Sequence, residues 1–330
     1  MRRVLRIFPL YFGYLLLIFL VILCLNTQQP LLLQSQRDFN LNYPYLLSYT
    51  YNFQAVFNFA AQRSYESSYF FGHLWSLSVE EQFYLFFPLV IYFVRPNILR
   101  PLFISVILLT PLLRWLFVDL SVSQIDDRFF IGTVLYNATP FQLDALLMGG
   151  VLAMSDPAKL MKYWRLVCIF LLLVSAAAAW WIFHVLSAYQ YPLPKGSLGF
   201  DAPVYHVLFS TPNFMINNRY LYTIPLLNGL FSLLLLLAIH QKTVRFLMQR
   251  NWLAFIGKIS YGIYILHLAF SCLFQLALEQ IWKNEAVPFW PSLLFLVVYL
   301  ALLLLGAYVS FRFFESRFLR LKAHFSIPLK

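Results

Sequence analysis

Charge is what this chain has least of: only 11% of its 330 residues are charged, and just 13 of them are Asp or Glu. With 61% hydrophobic and 19% aromatic residues, so little polar surface cannot clothe a soluble globule, and lipid must cover the rest. Cysteine is almost as scarce. Cys24, Cys168 and Cys272 stand singly in apolar stretches, which excludes a zinc pattern or a disulfide framework and leaves packing as their role. Also missing are a Walker loop, a dinucleotide fingerprint after a strand, an HExxH pair and a nucleophile elbow, so no metal site and no bound cofactor is expected. No internal repeat, low-complexity linker or polar end domain interrupts the chain. Residues 1–330 read as one membrane domain.

What the chain has instead is long apolar runs. A hydrocarbon core about 30 Å thick needs about 20 mostly apolar residues per helix. Eight stretches approach that length: 8–26, 73–94, 101–118, 138–154, 166–186, 220–240, 253–275 and 290–311. The runs are continuous and do not alternate apolar with polar, which excludes a barrel. The expected fold class is all-α, a polytopic bundle of about eight transmembrane helices. The aromatic stretch from Tyr45 to Ala60, with Asn52, Gln54 and Asn58, suits a re-entrant or interfacial helix better than a span.

The 24 Lys and Arg outnumber the acids, yet they fall in short clusters between spans and not along one face, so no nucleic-acid partner is expected. The positive-inside rule accounts for them. With a cytoplasmic N-terminus, sixteen basic residues fall on inner segments and six on outer loops, which places both termini in the cytoplasm and residues 27–72 and 187–219 outside. Arg2 and Arg3 before an apolar run imitate a signal peptide, but no small-x-small cleavage site follows, so an uncleaved first span is expected.

Three polar constellations lie within these runs. In the first, Ser76, Glu80 and Tyr84 are successive i, i+4 neighbours, with His73 one turn earlier and Glu81 beside Glu80. They form a polar stripe expected to descend from the outer surface. A carboxylate at the bilayer centre costs on the order of 3 kcal/mol, so these groups should face a wet cavity or a structural hydrogen-bond network. In the second, Ser260, Tyr264, His267 and Ser271 share a helix face, and His267 is either a packed, hydrogen-bonded group or a basic one. In the third, Asp144 sits in the outer half of a span, with Arg114 of the preceding span available for a buried pair. At the start, Arg2, Arg3 and Arg6 occupy one side of a helical turn. Their guanidinium forks match phosphate oxygens, although topology explains them as well.

The run WSLSVEEQFYLFFPLV resembles the signature of the acyltransferase 3 family of bacterial membrane O-acyltransferases. RRVLRIFP, FQLDALLMGG, GKISYGIYILH and FRFFESRFLRLK resemble further segments of that family in the same order, so the similarity spans nearly the whole chain. The resemblance implies transfer of an acyl group, often acetyl, from cytoplasmic acyl-CoA to a hydroxyl of an extracytoplasmic glycan, in the bacterial inner membrane. It implies that Arg2, Arg3 and Arg6 contact the acyl-CoA, and that Glu80, Asp144 and His267 form the catalytic set. His73, Ser76, Glu81, Tyr84 and Tyr264 would line the cavity. It also implies two further spans ahead of the arginine segment, carrying the family's base. They are expected from an upstream start or from a separate chain. A truncated, inactive scaffold or partner subunit is the competing reading, and a transporter, which would want repeated halves and broken helices, is a third.

Overall fold

The computed structural model describes residues 3–25, 30–62, 70–156, 219–282 and 289–321, with scattered helical positions between 162 and 180. Arg2, the expected span at 166–186 and the outer segment 187–219 fall largely or wholly outside the described residues. Among those described, every regular element is helical. In chain order they are α1 (Val4–Leu25), α2 (Pro30–Leu47), a 3-10 turn (Tyr51–Phe53), α3 (Gln54–Ala60), α4 (Leu74–Phe93), α5 (Pro96–Val122) and α6 (Arg128–Asn137). A second 3-10 turn (Thr139–Gln142), α7 (Leu143–Ala153), α8 (Arg219–His240), α9 (Lys242–Met248), α10 (Asn251–Trp282), α11 (Phe289–Ser310), a π-turn (Phe311–Glu315) and α12 (Ser316–Leu321) follow.

By length and composition, four stretches can cross a membrane: Val4–Cys24, Pro96–Val122, Asn251–Leu278 and Leu293–Leu321. A fifth exists if α8 and α9, bent 96° apart, form one broken span. Their outward faces carry exposed Leu17, Leu20, Leu23, Leu109, Leu112, Leu294 and Leu305, apolar surface of a kind that lipid covers. Eight spans is therefore more than the described helices supply. α4 is 20 residues long, but its Glu80-Glu81-Gln82 run makes it less apolar than these four. The span expected at 138–154 is not among these: Ala138, with ψ 135°, ends α6, a 3-10 turn follows, and the α-helix that remains is the 11-residue α7, about half a bilayer long.

Two cores position the rest. In the first, α1, α2, α4 and α10 meet through Tyr11, Tyr14, Ile18, Leu46, Phe71, Leu74 and Ile265. Buried phenols tie the backbones together there: Tyr11 donates to the Leu46 carbonyl at 2.8 Å, Tyr14 to Phe70 at 2.7 Å and Tyr261 to Ile7 at 2.8 Å. In the second, Ile131, Leu135 and Phe141 of α6 and its following turn pack with Val118 of α5 and Tyr220 of α8. The stretch Tyr45–Ala60 forms only short helical pieces, and its amides are buried. Asn58 donates to Asn42 at 2.8 Å and to Gln54 at 3.2 Å, while Asn52 donates to Thr139 at 2.9 Å. Ser35, Asp38 and Asn42 supply the matching buried polar face of α2.

Candidate active site

The two ends of the first core run opposite ways. Arg3, just before α1, meets Glu80 one third of the way along α4, whereas Tyr14 reaches Phe70 ahead of α4. α1 and α4 are thus antiparallel, and the Glu80 end of the polar stripe lies level with the start of α1. The stripe thus runs from His73, beside Tyr14 within α1, to a charged end on the side on which α1 begins.

A cavity of about 640 Å³ opens there, lined by Arg3, Arg6, Ile7, Ser76, Leu77, Glu80, Tyr84, Ser260, Tyr261 and Tyr264. Arg3 Nη2 lies 2.7 Å from Glu80 Oε1, its Nε lies 3.2 Å from Glu81 Oε1, and its guanidinium covers the Tyr84 ring. Burial alone would lower the Arg3 pKa, but hydrogen bonds with Tyr84 and Glu81 and attraction to Glu80 hold it above its ordinary value. Arg3 is therefore a fixed cation. Arg6 lines the same cavity and, among the described residues, has no carboxylate within ion-pair distance. It is attracted to the buried Glu315 carboxylate, and its guanidinium fork can still take a phosphate oxygen.

Each polar residue of the α4 signature has a separate task. Ser76 faces the cavity and hydrogen-bonds the Tyr264 hydroxyl, which donates to the His73 carbonyl at 2.6 Å. Ser78 bonds back to the Leu74 carbonyl at 3.2 Å. Gln82 donates to the Tyr49 carbonyl and to Asn52, each at 2.8 Å, and accepts from Thr139, pinning α4 to both 3-10 turns. One turn beyond the cavity wall, His73 packs against His267 with ring centroids 4.8 Å apart.

Asp144 lies elsewhere. Its Oδ1 is 2.7 Å from Arg114 Nη2, both side chains are buried, and Arg114 also donates to the Phe141 carbonyl at 3.0 Å. This is the pairing expected from sequence, and it joins α5 to α7 outside the cavity. Thus Arg3, Arg6, Ser76, Glu80, Tyr84 and Tyr264 come together in one site, Glu81 stands behind Arg3, His73 and His267 adjoin it, and Asp144 does not take part.

Sequence reasoning missed Tyr261 and Glu315. Tyr261 sits outside the Ser260–Tyr264–His267 stripe, and its role depends on the Ile7 carbonyl of α1. Glu315 is buried in the π-turn, where Oε1 accepts from Ser310 Oγ at 3.2 Å. It also lies 3.2 Å from where a Cβ on Gly262 would stand, so the missing side chain there makes room for the carboxylate. A π-turn inside a long helix often marks a functional site, and this one opens the segment that resembled the family's C-terminal stretch. No group of three metal-ligating side chains occurs among the described residues.

A helical membrane bundle with a cationic cavity between its first helix and a carboxylate-bearing helix is the class that fold and site define. More specifically, the chain belongs to the Acyl_transf_3 family, whose acyltransferase-domain model matches residues 1–312. Curated proteins of Staphylococcus aureus strains COL, MSSA476 and MRSA252, named as provisional O-acetyltransferases, are each 24% identical over 261 residues, covering 74% of this chain and 36% of theirs. The chain thus spans about a third of the length of the curated relatives it matches. No solved structure matches it.

Proposed function

We propose that this chain is the membrane domain of an O-acyltransferase that moves an acyl group, acetyl by preference, from acyl-CoA to a hydroxyl of an extracytoplasmic glycan. The observation that carries the reading is the cavity at the start of α1, where Arg6 stands outside ion-pair distance of any carboxylate among the described residues and Arg3 is a cation held by Glu80 and Glu81. In the orientation favoured by the basic residues this opening is cytoplasmic, the side on which acyl-CoA resides, and the membrane is the bacterial inner membrane. Arg6 and Arg3 would contact the diphosphate, with Arg2 adding charge. The Ser76 and Tyr264 hydroxyls line the same cavity, their hydrogens held within the Ser76–Tyr264–His73 chain, and His267 is the basic group of the adjoining face.

Binding and turnover test this separately. Titrating acetyl-CoA onto the purified full chain should give saturable binding that weakens about tenfold in Arg6→Ala, as loss of one charge-assisted phosphate contact predicts. Acetylation of cell-surface glycan should fall in Arg6→Ala and Ser76→Ala strains. Binding that is absent, or indifferent to Arg6, would sink the donor assignment. Binding without any acetylation would favour the partner-subunit reading.

A further inference from the structure

The π-turn Phe311–Glu315 delivers one carboxylate to the back of the cavity. In an α-helix, residues five apart stand about 140° apart around the axis, whereas the wider turn brings them onto one face. There Ser310 Oγ donates to Glu315 Oε1 at 3.2 Å. Two glycines seat this turn. The Phe314 ring lies 3.2 Å from where a Cβ on Gly13 of α1 would stand, and Glu315 Oε1 lies 3.2 Å from where one on Gly262 of α10 would stand. The turn therefore packs against both helices that carry Arg6 and Tyr261 of the cavity wall. Arg312 and Arg317 beside it are exposed, while Glu315 is only 5% exposed. Neither arginine forms an ion pair with it among the described residues.

A carboxylate taken out of water is costly unless charge compensates it, and Arg6 supplies that charge. The geometry fixes both partners from adjoining positions of α10. Gly262 makes room for Glu315, and its neighbour Tyr261 donates to the carbonyl of Ile7, the residue after Arg6. The two still stand outside ion-pair distance of each other. From α4, Glu80 lines the same cavity as Arg6, and it is already bonded to Arg3 at 2.7 Å. Arg6 is thus attracted by acids on two different helices and bound by neither.

We infer that Glu315 is a positioning residue for Arg6: it draws the guanidinium away from Glu80 and keeps its fork open to a phosphate of the acyl donor. This deepens the acyl-CoA reading of the cavity and rests on it. An arginine side chain is long and has many rotamers, so without that pull it would turn to the partly exposed Glu80 carboxylate and spend its donors within the protein. Glu315 is not part of the cavity's lining whereas Arg6 is, so the ligand meets Arg6 and Glu315 acts through it.

Calorimetric titration of acetyl-CoA onto the full chain in lipid nanodiscs tests this with the parent, Arg6→Ala, Glu315→Gln and the double variant. Glutamine keeps the size of the side chain and an oxygen for Ser310, and removes the charge. Glu315→Gln should weaken binding about fivefold, less than the about tenfold loss in Arg6→Ala. The double variant should bind no more weakly than Arg6→Ala alone, because Glu315 has no other route to the ligand. Ser310→Ala is a milder arm that keeps the charge and removes its tether. It should weaken binding about threefold in the parent and not at all in the Arg6→Ala background.

Unchanged or tighter binding in Glu315→Gln overturns the positioning role and leaves the donor site standing, since a buried acid would then only repel the polyanion. Losses that multiply in the double variant overturn it too, because they make Glu315 a packing group independent of Arg6. Should Glu315→Gln fail to fold, the Ser310→Ala pair decides by the same comparison. Acetyl-CoA binding that is absent from the parent, or equal in Arg6→Ala, overturns the acyl-CoA reading and the positioning role with it.

Discussion

Arg3 Nη2 stands 2.7 Å from Glu80 Oε1, and this contact, bridging the start of α1 and the body of α4, sets the depth of the whole charged cavity. Glu81 holds the same guanidinium at 3.2 Å, so the two adjacent acids of the signature serve one arginine. Acids one residue apart point about 100° away from each other on a helix, and a guanidinium at the groove between helices is broad enough to reach both.

That shared arrangement predicts asymmetry between stability and binding. The Glu80 side chain is 41% exposed, and solvent screens such a pair, so Glu80→Gln should cost at most about 1 kcal/mol of stability in detergent unfolding. Acetyl-CoA affinity should change more than stability does, because Arg3 loses one of the acids that aim it. A large loss of stability with unchanged affinity would contradict this.

Arg114 and Asp144 predict the reverse. Both are buried, and removing one partner strands a charge, so Asp144→Ala or Arg114→Leu should cost about 3 to 5 kcal/mol or abolish folded expression. The double change to Leu at both positions should recover most of that loss. Size-exclusion profiles and thermal unfolding of the three variants decide the point, and a mild single variant would argue against the pair as the α5–α7 tie.

Tyr261→Phe removes one buried hydrogen bond from the Ile7 carbonyl, which lies within helix α1 and keeps its helical donor. The expected cost is about 0.5 to 1.5 kcal/mol, with the α1 start loosened against α10. Hydrogen exchange at the first turns of α1 should rise while that of α5 and α7, which pack on each other through Phe103 and Leu147 and not on that core, stays unchanged.

Orientation is testable at Ser260, which lines the cavity. A Ser260→Cys chain in sealed inner-membrane vesicles should react with an impermeant maleimide presented to the cytoplasmic face and resist one presented to the periplasmic face. Acetyl-CoA should slow that reaction. Labelling from the periplasmic side would reverse the proposed topology.

The helical, lipid-covered nature of the chain was legible because it depends on composition and run length, which tertiary contacts do not alter. So was the Arg114–Asp144 pair, since two opposite charges in neighbouring apolar runs have few other ways to be neutralised. The span at 138–154 was not, because run length alone cannot show that a 3-10 turn comes first and the α-helix begins only at Leu143. α2 also escaped notice: its polar residues read as loop, although Ser35, Asp38 and Asn42 recur at helical spacing and are buried.

By itself, then, the amino-acid sequence determined the class of molecule, the helical faces on which Ser76, Glu80 and Tyr84, or Ser260, Tyr264 and His267, line up, and the family motifs. Periodicity places residues on a face without saying which way that face looks. Only the tertiary structure decided that Glu80 and Glu81 turn to Arg3 at the start of α1, that Tyr264 stands between a charged cavity and two imidazoles, and that Asp144 is spent on a pair outside the site. Those outcomes depend on the relative direction and depth of helices far apart in the chain, which packing among Tyr11, Tyr14, Phe71 and Ile265 sets and no local pattern encodes.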